Sequence, residues 1–210
     1  MRVCDARPVM AGRRLAGPQP IAITGILFFE RTHIMPNNVN AHLEDGRVKT
    51  VAVKSIADVK APTLAELTAD GAVDLSYWLT SDGWKLTHSQ DMIDDDREGA
   101  AAVGQIPGQE KYTDGTMQVL DNVNVMNGNT PESNDAVEQL VQGSKWYIVR
   151  RRGADTDSAW KEGEKVSVFP VTIGIRTPVA HAANQRQLST ISFSADPASR
   201  DETAVIAPKA

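Results

Sequence analysis

A chain of 210 residues with 41% hydrophobic content suits one packed domain, or one domain with extensions, and does not read as wholesale disorder. A formal net charge of −5 excludes a general DNA-coating protein, which needs basic surface to displace counterions. The single cysteine, Cys4, excludes an intramolecular disulfide framework, and no apolar run approaches the ~20 residues that cross a bilayer.

Residues 1–34 differ from the rest: they hold Arg2, Arg7, Arg13, Arg14 and Arg31, no lysine, and only Asp5 and Glu30 as acids. Three readings compete. A secretory signal would explain arginines before the apolar run Ile21–Phe29, but Pro18 and Pro20 precede that run and no small-residue cleavage pattern follows it. A genuine N-terminal arm is the second. The preferred third is a non-native leader with Met35 as the start, because Glu30–Arg31–Thr32 can be written in codons that contain a purine-rich ribosome-binding sequence.

Residues 35–62 are expected to form an N-terminal arm and first strand. Asn37, Asn38, Asn40, Asp45 and Gly46 make a turn-rich opening, and Val48–Ile56 reads as a strand or an extended arm. Pro62 then precedes one or two helical turns at Thr63–Leu67, stopped by Gly71. Val73, Leu75, Tyr77 and Leu79 share one parity, which predicts a half-buried strand. Ser81–Asp82–Gly83 signals a turn, with Trp84–Leu86 returning. Trp78 and Trp84 are read as packing residues.

Asp91, Asp94, Asp95, Asp96 and Glu98 face one base, Arg97. The plain reading is a solvated charged loop. Consecutive acids without a glycine at the sixth position do not fit a calcium loop. A glycosidase pair needs two acids held across a cleft, which clustering on one loop does not provide.

Asp114–Gly115 signals another turn. Met117, Val119, Val123 and Val125 then predict a long strand with one face inward, ended by Asn127–Gly128–Asn129. The best helix signal follows: Thr130 as N-cap, Pro131 first, Glu132 and Asp135 at the positive end, a stripe of Ala136, Val137, Leu140 and Val141, and Gly143 as the stop.

From Lys145 to Ile175 the chain reads KWYIVRRRGADTDSAWKEGEKVSVFPVTIGI. Two β-rich runs, one ending in Arg150, Arg151 and Arg152, predict neighbouring antiparallel strands joined by a long exposed loop. The second run holds the pattern W-K-x-G-x-K-V-x-V-x-P-V, from Trp160 to Val171. With Ala57–Leu79 and the closing strand near Ile191, this stretch resembles the major tail tube protein of long-tailed, siphovirus-type actinobacterial phages. The resemblance runs from about Val51 to Pro208.

The apolar parity switches between Val166, Val168 and Val171, Ile173, Ile175, which predicts a bulge or edge position at Phe169–Pro170, and a strand that serves two sheets. Pro178–Gln187 reads as a rim loop. Leu188–Ala195 reads as the closing strand, with Ile191, Phe193 and Ala195 on one face. Residues 196–210 read as a flexible polar tail. His33, His42, His88 and His181 are scattered, and the chain has no Gly-rich phosphate loop, His-Glu-x-x-His or G-x-S-x-G. Arg150, Arg151 and Arg152 could bind phosphate; the preferred reading is a charged strand end that meets acids of the next subunit, or Asp155 and Asp157.

The expected fold is mainly β: an antiparallel β-sandwich over residues 63–195 with one flanking α-helix and a long hairpin or loop. The resemblance implies a structural virion protein, not an enzyme, that assembles into stacked rings, hexameric in the family, through which DNA passes without specific binding. It implies that Asp91, Asp94, Asp95, Asp96 and Glu98 line the lumen, where a like-charged wall repels phosphate. It also implies the tape-measure and tail-terminator proteins as partners, no cofactor, no membrane, and a place in the virion tail after assembly in the host cytoplasm. The alternatives are a ring-forming tube protein of a contractile injection or secretion apparatus and, from another class, a small β-rich hydrolase using the acidic stretch.

Overall fold

β-Branched and aromatic residues recurring with a period of two make strands dominate. The computed structural model describes residues 41–99 and 101–208. In chain order these form β1 (Val48–Val53), α1 (Leu64–Leu67), β2 (Val73–Asp74), β3 (Leu79–Asp95), β4 (Gly104–Leu120), β5 (Met126–Asn127), β6 (Thr130–Pro131), α2 (Asp135–Gln139), β7 (Lys145–Arg152), β8 (Lys165–Pro178), β9 (Leu188–Ala195) and β10 (Arg200–Val205). The expected leader over residues 1–34, the start at Met35 and the turn-rich residues Asn37, Asn38 and Asn40 lie outside the described residues.

Eight strands pair antiparallel in one sheet of order β2-β1-β7-β8-β9-β4-β3, with β10 beside β8, while β5 and β6 form a small separate hairpin. The sheet curls on itself. Ala52, Ile148, Phe169 and Ile173 from one half thereby share a core with Met117, Val119, Ile191 and Phe193 from the other. Trp84 stacks on Phe193 with ring centroids 4.9 Å apart, as its reading as a packing residue expected. Ala136 and Val137 of α2, with Leu140 just after it, close this core. Leu140 is 3% exposed, so Leu140→Ala should cost about 3 kcal/mol through lost burial and a cavity. A denaturant melt showing a loss below about 1 kcal/mol would contradict this packing.

A second core lies on the reverse face of β1, β7 and the first part of β8, where Val51, Val53, Val149, Val166 and Val168 meet Leu67, Trp160, Ala204 and Ile206. The helical turns expected at Thr63–Leu67 form α1 over this second core, capped by Thr63 and Glu66 acting reciprocally. One expectation changes here. The segment from Asp196 is no tail: β10 pairs with β8, and Ala204 and Ile206 are fully buried. The two anchors sit in one short apolar run, Ala204–Ala207, too brief to outweigh the polar residues before it.

The parity switch in β8 marks the passage from the second core, which takes Val166 and Val168, to the first, which takes Phe169, Val171 and Ile173. No bulge breaks the pairing with β7 there, since Tyr147 stands opposite Pro170 in continuous register. The proline matters on the other edge, where β9 ends with Ala195 opposite Val171 and β10 begins with Arg200 opposite Val168. The Pro170 carbonyl faces that gap and accepts from the Asp196 N–H at 2.8 Å, and no proline N–H is left unmet. The bulge comes further on, between Ile173 and Arg176.

The strand expected over Val73–Leu79 stops at Asp74 and turns; Val73 and Leu75 are buried, but Tyr77 points to solvent. Likewise β4 ends at Leu120, and Val123 and Val125 do not continue its inward face. The cause is Asp121, 3% exposed, which accepts from Ser189 Oγ, from Asn134 Nδ2 at 3.1 Å and from the Val123 N–H at 3.2 Å. This network also moves the helix start. Thr130 and Pro131 lie in β6, and α2 begins at Asp135 after Asn134, whose side chain is engaged with Asp121 instead of capping. Burial pushes the Asp121 carboxyl up, but the three donors and Arg176 outweigh it and hold it below the ordinary value. A carboxyl lowered in the folded state adds stability that is present above its unfolded pKa and lost as pH falls through the folded one. Wild type should therefore lose stability more steeply than Asp121→Asn below about pH 4; parallel pH profiles would refute this.

Candidate functional site

β3 and β4 are 17 residues each and pair along their length. Because β9 accompanies β4 only from Thr116 to Leu120, the remainder projects as a two-stranded ribbon, roughly 35 Å long at the usual strand rise. The turn signals Ser81–Asp82–Gly83 and Asp114–Gly115 are not turns. They fall at register shifts inside this hairpin, and a third shift falls at Gly108. A Cβ on Gly83 would overlap the Gln118 carbonyl, and one on Gly115 the Phe193 carbonyl and ring, so these glycines allow close backbone approach at bulges. A turn and a bulge ask for the same residue types.

The acidic stretch is thus strand, not loop, up to Asp95, and the register divides it. His88, Gln90, Met92 and Asp94 lie on one face with Tyr112, Glu110, Pro107 and Gln105. Ser89, Asp91, Ile93 and Asp95 lie on the other with Lys111 and Ile106. Asp94 therefore points away from Asp91 and Asp95, and Asp96 and Glu98 sit in the turn beyond the strand. Lys111 pairs with Asp91, Arg97 with Asp95 at 2.7 Å, and Gln105 donates to Asp94. On the Asp94 face His88 stacks on Tyr112, centroids 4.2 Å apart, and lies 3.5 Å from Glu110. None of the five acids lines the cleft beside Tyr77 and Arg150 or the one beside His88 and Arg152.

The Asp94 face continues the side of the sheet that carries Trp84 and Leu86 into the core. The Asp91 face continues the opposite side, which belongs to neither core and is almost wholly hydroxyl, amide and charge. Lys85, Thr116 and Ser192 form one row across three strands, Gln118 and Thr190 the next, and Thr87 and Thr113 another. Sequence reading missed this wall as a unit. Its signal was present in Leu188–Ala195, where Ser189 apart, hydroxyls alternate with Ile191 and Phe193. β3 is also the last strand of its sheet, so its outer edge has no strand partner among the described residues.

The three arginines separate too. Arg151 is 1% exposed and its guanidinium donates to Glu164 Oε2 at 3.0 Å, to the Asp155, Ser158 and Ala159 carbonyls and to Ser158 Oγ, over the Trp160 ring. It holds the 153–164 connection inside its own subunit, and its Nε, which has no hydrogen-bond partner, is buried and out of reach of another subunit. Arg150 lies over the Trp84 ring and donates to Thr50 Oγ1; burial pushes its guanidinium down to about 10, and among the described residues it has no carboxylate within ion-pair distance. Arg152 is half exposed and pairs with Glu202 and, at 3.6 Å, with Glu44. The hydrogen bond to Glu202 raises the Arg152 guanidinium and lowers the Glu202 carboxyl. Its acids are therefore Glu44 and Glu202, not Asp155 and Asp157.

A family model described as phage tail tube protein matches residues 35–208. No curated protein matches the chain. Among solved structures, the chain is similar to one in the six-fold symmetrised cryo-EM structure of the anti-feeding prophage baseplate. The TM-score is 0.46 and the identity 10%, over 78% of this chain and 95% of that one. It is also similar to one in the cryo-EM structure of the sheath/tube terminator of an extracellular contractile injection system, PVC, in the extended state. There the TM-score is 0.45 and the identity 20%, over 76% and 96% of the two chains.

Proposed function

Since the chain belongs to the phage tail tube protein family, we propose that six copies close into a ring, that rings stack into the tube of a long-tailed phage, and that the polar sheet face lines the channel. The chain is a tail tube structural protein, a component of the virion tail. Its work is mechanical, and no chemical step is assigned to it. The observation that carries the channel reading is the largely polar face over β3, β4 and β9, which no part of the subunit's two cores uses. Neutral hydroxyls and amides release no counterions from phosphate and so hold it only weakly, and the open β3 edge invites a strand from a neighbouring copy. In this arrangement Asp91 and Asp95 face the lumen, each beside its own cation, and Asp94 faces the body of the wall. Arg152 and Arg150 remain candidates for the contact between subunits. The tape-measure and tail-terminator proteins are the natural partners of the tube's interior and end, and assembly takes place in the host cytoplasm.

Negative-stain microscopy of the purified protein tests this reading. Hollow tubes with sixfold end views are expected. Monomers that never polymerise, at any protein concentration or salt, would overturn it.

A further inference from the structure

The polar face is interrupted once. Ile93 and Ile106 stand directly opposite each other near the far end of the ribbon, 54% and 45% exposed, with Val103 close by and more exposed still. At the other end of β4 a second apolar group is open: Val123, Val125 and Met126, in the segment that follows Leu120. By strand rise the two groups lie roughly 45 Å apart along β4, so one subunit cannot cover both with itself. Their surroundings differ in charge. Ile93 shares its face with Asp91 and Asp95, and Asp96 and Glu98 follow in the connection beyond the strand. Val123 lies against the loop before β9, because Gln187 Nε2 donates to the Val123 carbonyl. The next residue in that loop, Arg186, is exposed and has no hydrogen bond or ion pair among the described residues.

We infer that the Ile93–Ile106 end of one copy docks onto the Val123–Met126 segment of a copy in the next ring, with Arg186 meeting the acids beside it. Two different patches at opposite ends make a heterologous contact, which propagates as an open stack without closing on itself. Apolar surface supplies the association and charge sets the register. The inference rests on the tube reading and adds the residues that join ring to ring.

The test uses the full chain and electron microscopy, with ring closure scored separately from tube length. Arg186→Glu and Met126→Asp should both fold, since the two side chains are exposed, and both should still give rings. Mean tube length should fall about tenfold, a change typical of one reversed or buried interface charge. Combining Arg186→Glu with Asp96→Arg should restore length. Arg186→Glu tubes as long and as salt-resistant as wild type would overturn the inference, as would failure of the paired reversal to restore length. If wild type itself makes no tubes, the tube reading falls and takes this joint with it; if only the variants behave as wild type, the joint alone is wrong.

Discussion

Arg151→Ala should cost the subunit about 3–5 kcal/mol, the range for removing one partner of a buried ion pair. That is a large part of the 5–15 kcal/mol that holds a domain folded. The loss has three sources. Glu164 keeps a carboxylate whose counter-charge is gone, although its main-chain bond from the Lys161 N–H remains. The Ala159 carbonyl loses its donor, while the Asp155 carbonyl keeps Ser158 and the Ser158 carbonyl keeps Lys49. Trp160 loses the cation above its ring and faces a cavity. Lysine cannot substitute, because a point charge does not reproduce a planar fork that donates to five acceptors. Denaturant unfolding of Arg151→Ala and Arg151→Lys measures this. A loss below about 1 kcal/mol for alanine would mean that the 153–164 connection holds itself.

The second large effect concerns passage of DNA. Asp91→Lys with Asp95→Lys puts two cations on the polar face of each copy and also releases Lys111 and Arg97 from their pairs. The side chains are on an exposed ribbon, so folding and ring closure should survive. In the proposed tube of six-copy rings these would set rows of cations along the channel, and each phosphate contact would release counterions. Particles should adsorb normally but eject slowly or incompletely, and recover as salt rises. Asp94→Lys, on the opposite face, should change ejection far less. Equal defects from both faces, or none from either, would remove this face from the lumen.

How much of this could be read from residues alone depended on how far each signal reached. Strand identity was legible wherever one face was buried and the run was long, as in Lys145–Arg152, Lys165–Pro178 and Leu188–Ala195. Local chemistry misled where a single residue had two structural uses. Gly83 and Gly115 read as turns because a bulge needs the same freedom, and only the partner strand decides between them. Thr130 and Pro131 formed a sound helix start on paper, but Asn134 and Asp121 bind each other across the core and shift the helix four residues onward. The acids were found, but their faces were not. That depends on where β3 begins and on the bulges beside it, which no count along the sequence supplies. Arg150, Arg151 and Arg152 looked equivalent for a like reason: alternation sends Arg151 into the second core and leaves Arg152 outside.

Pairing distance gives the hairpin a life before the fold exists. β3 and β4 are adjacent in the chain, whereas Thr50 of β1 waits for Arg150 of β7, 100 residues later. A hairpin forms in about 1–10 μs. A ribosome at 5–20 residues per second needs on the order of seconds to reach β7 after finishing β4. Throughout that interval the ribbon is a nascent structure with an unpaired edge and no core behind it. Its charges and bulges are then protective, since charged side chains and twisted, irregular edges discourage strand-to-strand pairing between chains. Smoothing the ribbon, by removing a bulge residue or replacing Lys111 with an apolar one, would therefore leave the finished subunit nearly as stable yet lower the yield of soluble protein during synthesis.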